Sequence, residues 1–225
     1  MKQRLLIVFA MAAIAGVNQA KADVVFMSVP GTSDAYTQAG NDGFTFTPTE
    51  NIIVTALDYY VSPDTTPADT LINSHGVGIY SVNNTSTPLV TATVGSCDPC
   101  TLVGGNGSYS SFASVALLQA DQIELYAGQQ YMLAGYSQPN EYENGGLTNS
   151  GGIPLGTIVT PSAITLNGYY YDYSGSLDYP TIPYGTGYVG PDFQFTAATP
   201  DGGTTLALLG IAIVGLAGLR RKLSR

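Results

Sequence analysis

Four groups of residues in this chain have types and spacings that could do chemistry. Cys97-Asp98-Pro99-Cys100 is a C-x-x-C. That spacing serves a redox dithiol, half of a zinc site or a short disulfide. Zinc needs four ligands, and the only histidine is His75. A redox cysteine needs a setting such as a helix N-terminus that lowers its pKa. Here the flanks read as strand and glycine-rich loop. The pair therefore reads as a disulfide that pins a loop tip in an oxidising compartment. A ring this small gains about 2 kcal/mol from chain entropy.

His75 is the sole imidazole base, with Ser74 before it and many carboxylates elsewhere. No G-x-S-x-G elbow is present, and His75 opens an expected strand, so it reads as a surface or strand-end histidine. Glu141 and Glu143 are spaced like a carboxylate pair for glycoside hydrolysis. They fall in the Asn/Gly/Pro-rich stretch 137–156, which reads as a long surface loop carrying solvated charges. Tyr169-Tyr170-Tyr171-Asp172-Tyr173 alternates, so Tyr169, Tyr171 and Tyr173 share one face of an extended strand. That face is either half-buried, which suits tyrosine, or an exposed platform that stacks on sugar rings. The acids lack EF-hand or nonapeptide calcium spacing. Several adjoin glycines, as in Asn41-Asp42-Gly43, and read as turn acids. No catalytic residue, metal site or cofactor is expected.

The charge pattern sets further bounds. The seven basic residues are Lys2, Arg4, Lys21, Arg220, Arg221, Lys222 and Arg225, all in the two ends. Segment 23–199 carries 15 of the 16 acids and no lysine or arginine, a formal charge of −15 with His75 neutral. Such a domain is repelled by nucleic acid, whose phosphates need cationic partners. It also holds no side-chain cation for a substrate phosphate.

The elements that must position these residues are strands. Short runs rich in β-branched and aromatic residues alternate with Gly, Pro, Asn, Asp and Ser clusters. The expected strands are 24–29, 43–47, 52–61, 76–82, 89–94, 110–117, 130–136, 157–166 and 193–196. Phe44 and Phe46 alternate with threonines, as on a strand with one buried and one wet face. No helical period is sustained in this region. The fold class is all-β, a jelly-roll-like β-sandwich over residues 23–196. The order of motifs over residues 40–136 is similar to a family of uncharacterised extracellular sandwich domains. That resemblance implies a fold and no chemistry.

The two ends read as addresses. Lys2 and Arg4, an apolar stretch from Leu5 to Val17, and Ala20-Lys21-Ala22 make a secretory signal over residues 1–22, with Asp23 as the mature start. At the other end Pro200-Asp201-Gly202-Gly203 forms the motif that closes the short linker segment 197–203. The apolar run Leu206 to Leu219 follows, then Arg220-Arg221-Lys222. The run is near the lower limit for crossing a hydrocarbon core of about 30 Å. The basic cluster argues for a membrane helix over 204–225 with a cytoplasmic stop. This order resembles the PEP-CTERM class of bacterial sorting signals, in its variant with a Val-Pro-Asp-Ser-Gly core. Thr199 stands for that variant's valine and Gly202 for its serine. The resemblance implies an exosortase-like partner, a transient inner-membrane stage and a final place at the cell surface or outside the cell. The chain thus reads as a non-enzymatic structural or adhesive surface protein. The alternatives are a carbohydrate-binding module in extracellular polysaccharide, using the tyrosine-rich region Tyr169–Tyr188 with Tyr169, Tyr171 and Tyr173 as sugar contacts, and, more distantly, an extracellular hydrolase.

Overall fold

A computed structural model describes residues 23–24, 33–36, 39–61, 70–97, 99–103, 111–139, 141–144, 161–184 and 190–198. The signal segment, the sorting motif and the tail lie outside them. Fourteen strands make up the described elements: β1 Asp23–Val24, β2 Ser33–Tyr36, β3 Gly40–Pro48, β4 Ile52–Val61, β5 His75–Ser81, β6 Val90–Val94, β7 Leu102–Val103, β8 Ser111–Ala116, β9 Ile123–Leu125, β10 Tyr131–Ser137, β11 Glu141–Asn144, β12 Ile164–Asp172, β13 Ile182–Tyr184 and β14 Pro191–Ala197.

They form two main sheets. One runs β1-β14-β4-β8-β7, with β9 also paired to β4; the other runs β13-β12-β3-β10-β5-β6. Every strand pairing among the described residues is antiparallel. The sheets meet over one core. Phe44, Phe46, Val77, Ile79, Tyr131 and Leu133 from the second sheet join Ile52, Val54, Leu57, Tyr59, Phe193 and Phe195 from the first. The Phe46 and Phe193 rings lie 5.1 Å apart across the interface. Strand β4 forms because seven of the ten residues from Ile52 to Val61 are β-branched or aromatic. At 0% exposure for Ile52, Val54 and Leu57, it is the centre of its sheet.

The structure differs from the sequence expectation in several places. Strand β3 has no wet face at its centre: Asn41 and Thr45, on the side away from Phe44 and Phe46, are also buried. The segment after β12 folds back over this outer face. Tyr80, Met132 and Ala134 pack there against Tyr170, Leu177 and Tyr179. Gly76 and Gly78 make room, since a Cβ on either would meet Leu177 at 3.2–3.3 Å. Asn41 ties the segment down. Its Nδ2 lies 3.1 Å from Asp172 Oδ1 and 2.9 Å from the Ser176 carbonyl, and its Oδ1 accepts the Asp178 N–H at 3.0 Å.

Asn41-Asp42-Gly43 is not a turn but the interior of β3. Gly43 serves close strand approach: a Cβ there would sit 2.3 Å from the Leu133 carbonyl oxygen. Of the strand expected over 157–166, residues 157–160 lie outside the described ones; β12 begins at Ile164, after a turn that Pro161 opens and the Ile164 N–H closes on its carbonyl at 3.0 Å. It then runs on through Tyr169–Tyr171 to Asp172. Within the expected loop 137–156, Glu141–Asn144 is strand β11, paired with β2 as a separate two-stranded sheet. At the C-terminal boundary β14 reaches Ala197, and the Ala198 N–H still bonds the Asn51 carbonyl at 2.8 Å.

Candidate functional site

Among the described residues, those with chemistry fall into separate groups. Cys97 and Cys100 are joined as a disulfide. Cys97 forms a two-way backbone bridge with Leu71, at 3.0 and 2.9 Å. Both cysteines pack against the core, so the bridge clips the connection between β6 and β7 to the sandwich.

His75 is not a surface residue. It opens β5 with 1% exposure, and its ring stacks on Tyr59 with centroids 3.7 Å apart. Its Nδ1–H donates to the Tyr136 carbonyl at 3.1 Å, which fixes ring and tautomer. The histidine is thus enclosed between the sheets. Glu141 and Glu143 stand two apart on β11, opposite Tyr36 and Asp34 of β2.

The acids hold the main surprise. Asp58 of β4 and Asp192 of β14 are direct cross-strand partners, and both are 0% exposed. Asp58 also faces Ser114 of β8. The Gln194 amide joins the group: Nε2 donates to Asp58 at 3.2 and 3.3 Å and to Ser114 Oγ at 2.9 Å. Asp192 Oδ1 accepts the Phe193 N–H at 2.7 Å, and its Oδ2 has no hydrogen-bond partner among the described residues. Burial disfavours the charged form of a carboxyl. It pushes Asp58 up to about 6 against the opposing bonds from Ser114 and Gln194. Asp192 rises well above the usual carboxylate range, first through burial and then through the Asp58 charge beside it. With no lysine or arginine in segment 23–199, no such side chain there can neutralise the pair. Protonation is the route to neutrality that the pair itself supplies. Reading the acids as dispersed turn residues missed this. The available signal was Asp58 set between Leu57 and Tyr59 in an apolar strand.

The tyrosines divide into two groups. Tyr169 packs half-buried against the core, and that burial pushes its hydroxyl up to about 12. Tyr170 covers the outer face with Tyr80 and Tyr179. Tyr171 instead meets Tyr173 and Tyr184 edge-to-face, with centroids 5.3 and 5.5 Å apart. Tyr173 is 57% and Tyr184 44% exposed. The aromatic cluster that reaches solvent is therefore exposed Tyr173 and Tyr184 around half-buried Tyr171 at the β12–β13 margin, with Tyr169 outside it. Tyr184 belongs to the tyrosine-rich region 169–188, but its place beside Tyr171 comes from the pairing of β13 with β12, which spacing along one strand does not report.

A family model described as the VPDSG-CTERM motif matches residues 200–223. That segment is a PEP-CTERM-like C-terminal sorting signal. No curated protein matches the chain.

Proposed function

We propose that this protein is exported and sorted to the cell surface through its C-terminal signal, where its β-sandwich has a structural or adhesive and not an enzymatic role. The sorting motif at 200–223 carries this reading. In it, residues 1–22 direct export, 206–219 enter the inner membrane as a helix, and Arg220, Arg221 and Lys222 hold the cytoplasmic side. Pro200, Asp201, Gly202 and Gly203 are then presented to an exosortase-like enzyme. The described candidates for acid–base chemistry support the non-enzymatic half. His75 is shut between the sheets, and Asp58 and Asp192 lie fully buried within one. N-terminal sequencing of protein recovered from the cell surface tests the export step. The expected start is Asp23; a start at Met1 contradicts it.

A second reading is favoured by one observation, the cluster of half-buried Tyr171 with exposed Tyr173 and Tyr184. Edge-to-face rings that carry phenol hydroxyls offer both apolar faces and polar tips, which suit a sugar ring. The absence of lysine and arginine from the domain favours an uncharged glycan over an anionic one. Binding to neutral polysaccharide that Tyr173→Ala and Tyr184→Ala abolish supports this reading. Equal binding by both variants removes it.

A further inference from the structure

We propose that strand β6 is a self-association edge, through which two copies of this chain pair their sheets across a two-fold axis. The inference starts from how the molecule ends its sheets. An unpaired strand edge is a template for another chain, and proteins blunt such edges by shortness, proline or charge. In the first sheet, the end strands β1 and β7 have two residues each, and β9 has three with Glu124 at its centre. In the second sheet, β13 has three residues with Pro183 in the middle. The small sheet β2–β11 carries Asp34, Glu141 and Glu143. Strand β6 is treated differently. It has five residues, Val90-Thr91-Ala92-Thr93-Val94, with no charge and no proline. It pairs β5 on one side and, among the described residues, has no strand on the other. Thr91 and Thr93 are exposed, while Val90 and Val94 are anchored in the core.

The occupant follows from the sequence of the edge. Val-Thr-Ala-Thr-Val is a palindrome. A two-fold interface requires a surface complementary to itself, and an antiparallel pair centred on Ala92 supplies one. Val90 then faces the partner's Val94, Thr91 the partner's Thr93, and Ala92 the partner's Ala92. Facing threonines are a favourable cross-strand pair, and no like charges meet on the strand. Because the far edge of the same sheet is blunted by Pro183, the pairing closes as a dimer and does not run on as a fibre. The −15 charge of segment 23–199 opposes approach, so added salt strengthens the association.

The test uses the full chain in detergent, unreduced so that Cys97 and Cys100 stay joined, with one cysteine added at a time. Ala92→Cys, at a half-buried residue on the core side of the strand, places two thiols across the two-fold axis for a short bis-maleimide, and its labelling by a monofunctional maleimide is measured first so that every dimer yield is expressed per reactive thiol. Leu118→Cys, at a residue 74% exposed, reports chance collision and any pairing through the tail. The expected result is a covalent dimer from Ala92→Cys at a yield several-fold above the Leu118→Cys control, rising with salt. Adding Thr91→Lys and Thr93→Lys to Ala92→Cys sets lysine against lysine across the strand pair, while it lowers the net repulsion between domains. Loss of the dimer in that variant, with its tyrosine circular dichroism unchanged, supports strand pairing. Equal yields at positions 92 and 118 overturn the proposal. So does a dimer that the two lysines leave intact or strengthen.

Discussion

The buried pair Asp58 and Asp192 makes folding stability depend on pH in a direction opposite to that of most carboxylates. Asp58 titrates near 6 in the fold against 3.8 in the unfolded chain. The folded state therefore holds this proton more tightly than the unfolded state. The stability tied to that proton is fully present below pH 3.8, declines as pH rises towards 6, and is lost above it. A tenfold difference in proton affinity between the two states is worth about 1.4 kcal/mol, so ionising Asp58 costs about 3 kcal/mol by neutral pH. Asp192 acts in the same direction, since its carboxyl is also raised. Asp58→Asn keeps the shape, lets its side-chain oxygen accept from Gln194, and removes the charge. At pH 8 the variant should be more stable than the wild type by up to about 3 kcal/mol, or roughly 1–2 M in urea midpoint. At pH 3 the two should unfold within about 0.5 kcal/mol of each other, as a protonated Asp58 already resembles asparagine. Urea titration followed by tyrosine fluorescence measures both. Sodium chloride at about 0.5 M should screen surface repulsion and leave the difference intact. A variant less stable than wild type at pH 8 refutes the reasoning, because it would mean that the ionised pair is held by a favourable partner.

Other perturbations test the frame. Asn41→Ala removes the anchor of segment 173–178 and should cost about 2–4 kcal/mol, with faster amide exchange at Ser174 and Asp178 by mass spectrometry. Unchanged exchange there would show that the outer-face packing alone holds the segment. Gly135→Ala drives a methyl to 2.8 Å from the Pro191 ring across the two sheets and should cost about 1–3 kcal/mol, read as a lower urea midpoint. Cys97→Ser should cost about 2 kcal/mol or less, since the ring it opens is small; thiol labelling of the denatured, unreduced wild type should find no free thiol.

Strand content was legible where packing is local. The run Ile52–Val61 is strand at those bounds, because β-branched and aromatic residues admit little else. The alternation around Phe44 and Phe46 likewise gives the inner face of β3. The outer face was illegible, because its cover comes from residues 170–179, which lie more than a hundred positions away. Asp42, an acid beside a glycine, looks like a turn residue until the partner strand explains the glycine. Asp58 falls inside an expected strand, and what one strand does not show is its partner. The pairing of Asp58 with Asp192 spans 134 positions and depends on the register of β4 with β14. The Tyr171–Tyr184 contact spans far fewer positions but likewise depends on a register, that of β12 with β13. Spacing along a chain reports one strand's faces, whereas sites on a sandwich are set by register between strands.

The central claim, that the tail sorts the protein, is tested most directly by cell fractionation of the full chain beside a variant in which Pro200 and Asp201 are alanine. The wild type should reach the surface fraction, and the variant should remain in the inner membrane, held by segment 206–219. A variant that reaches the surface as the wild type does would contradict the account and reduce the motif to a linker.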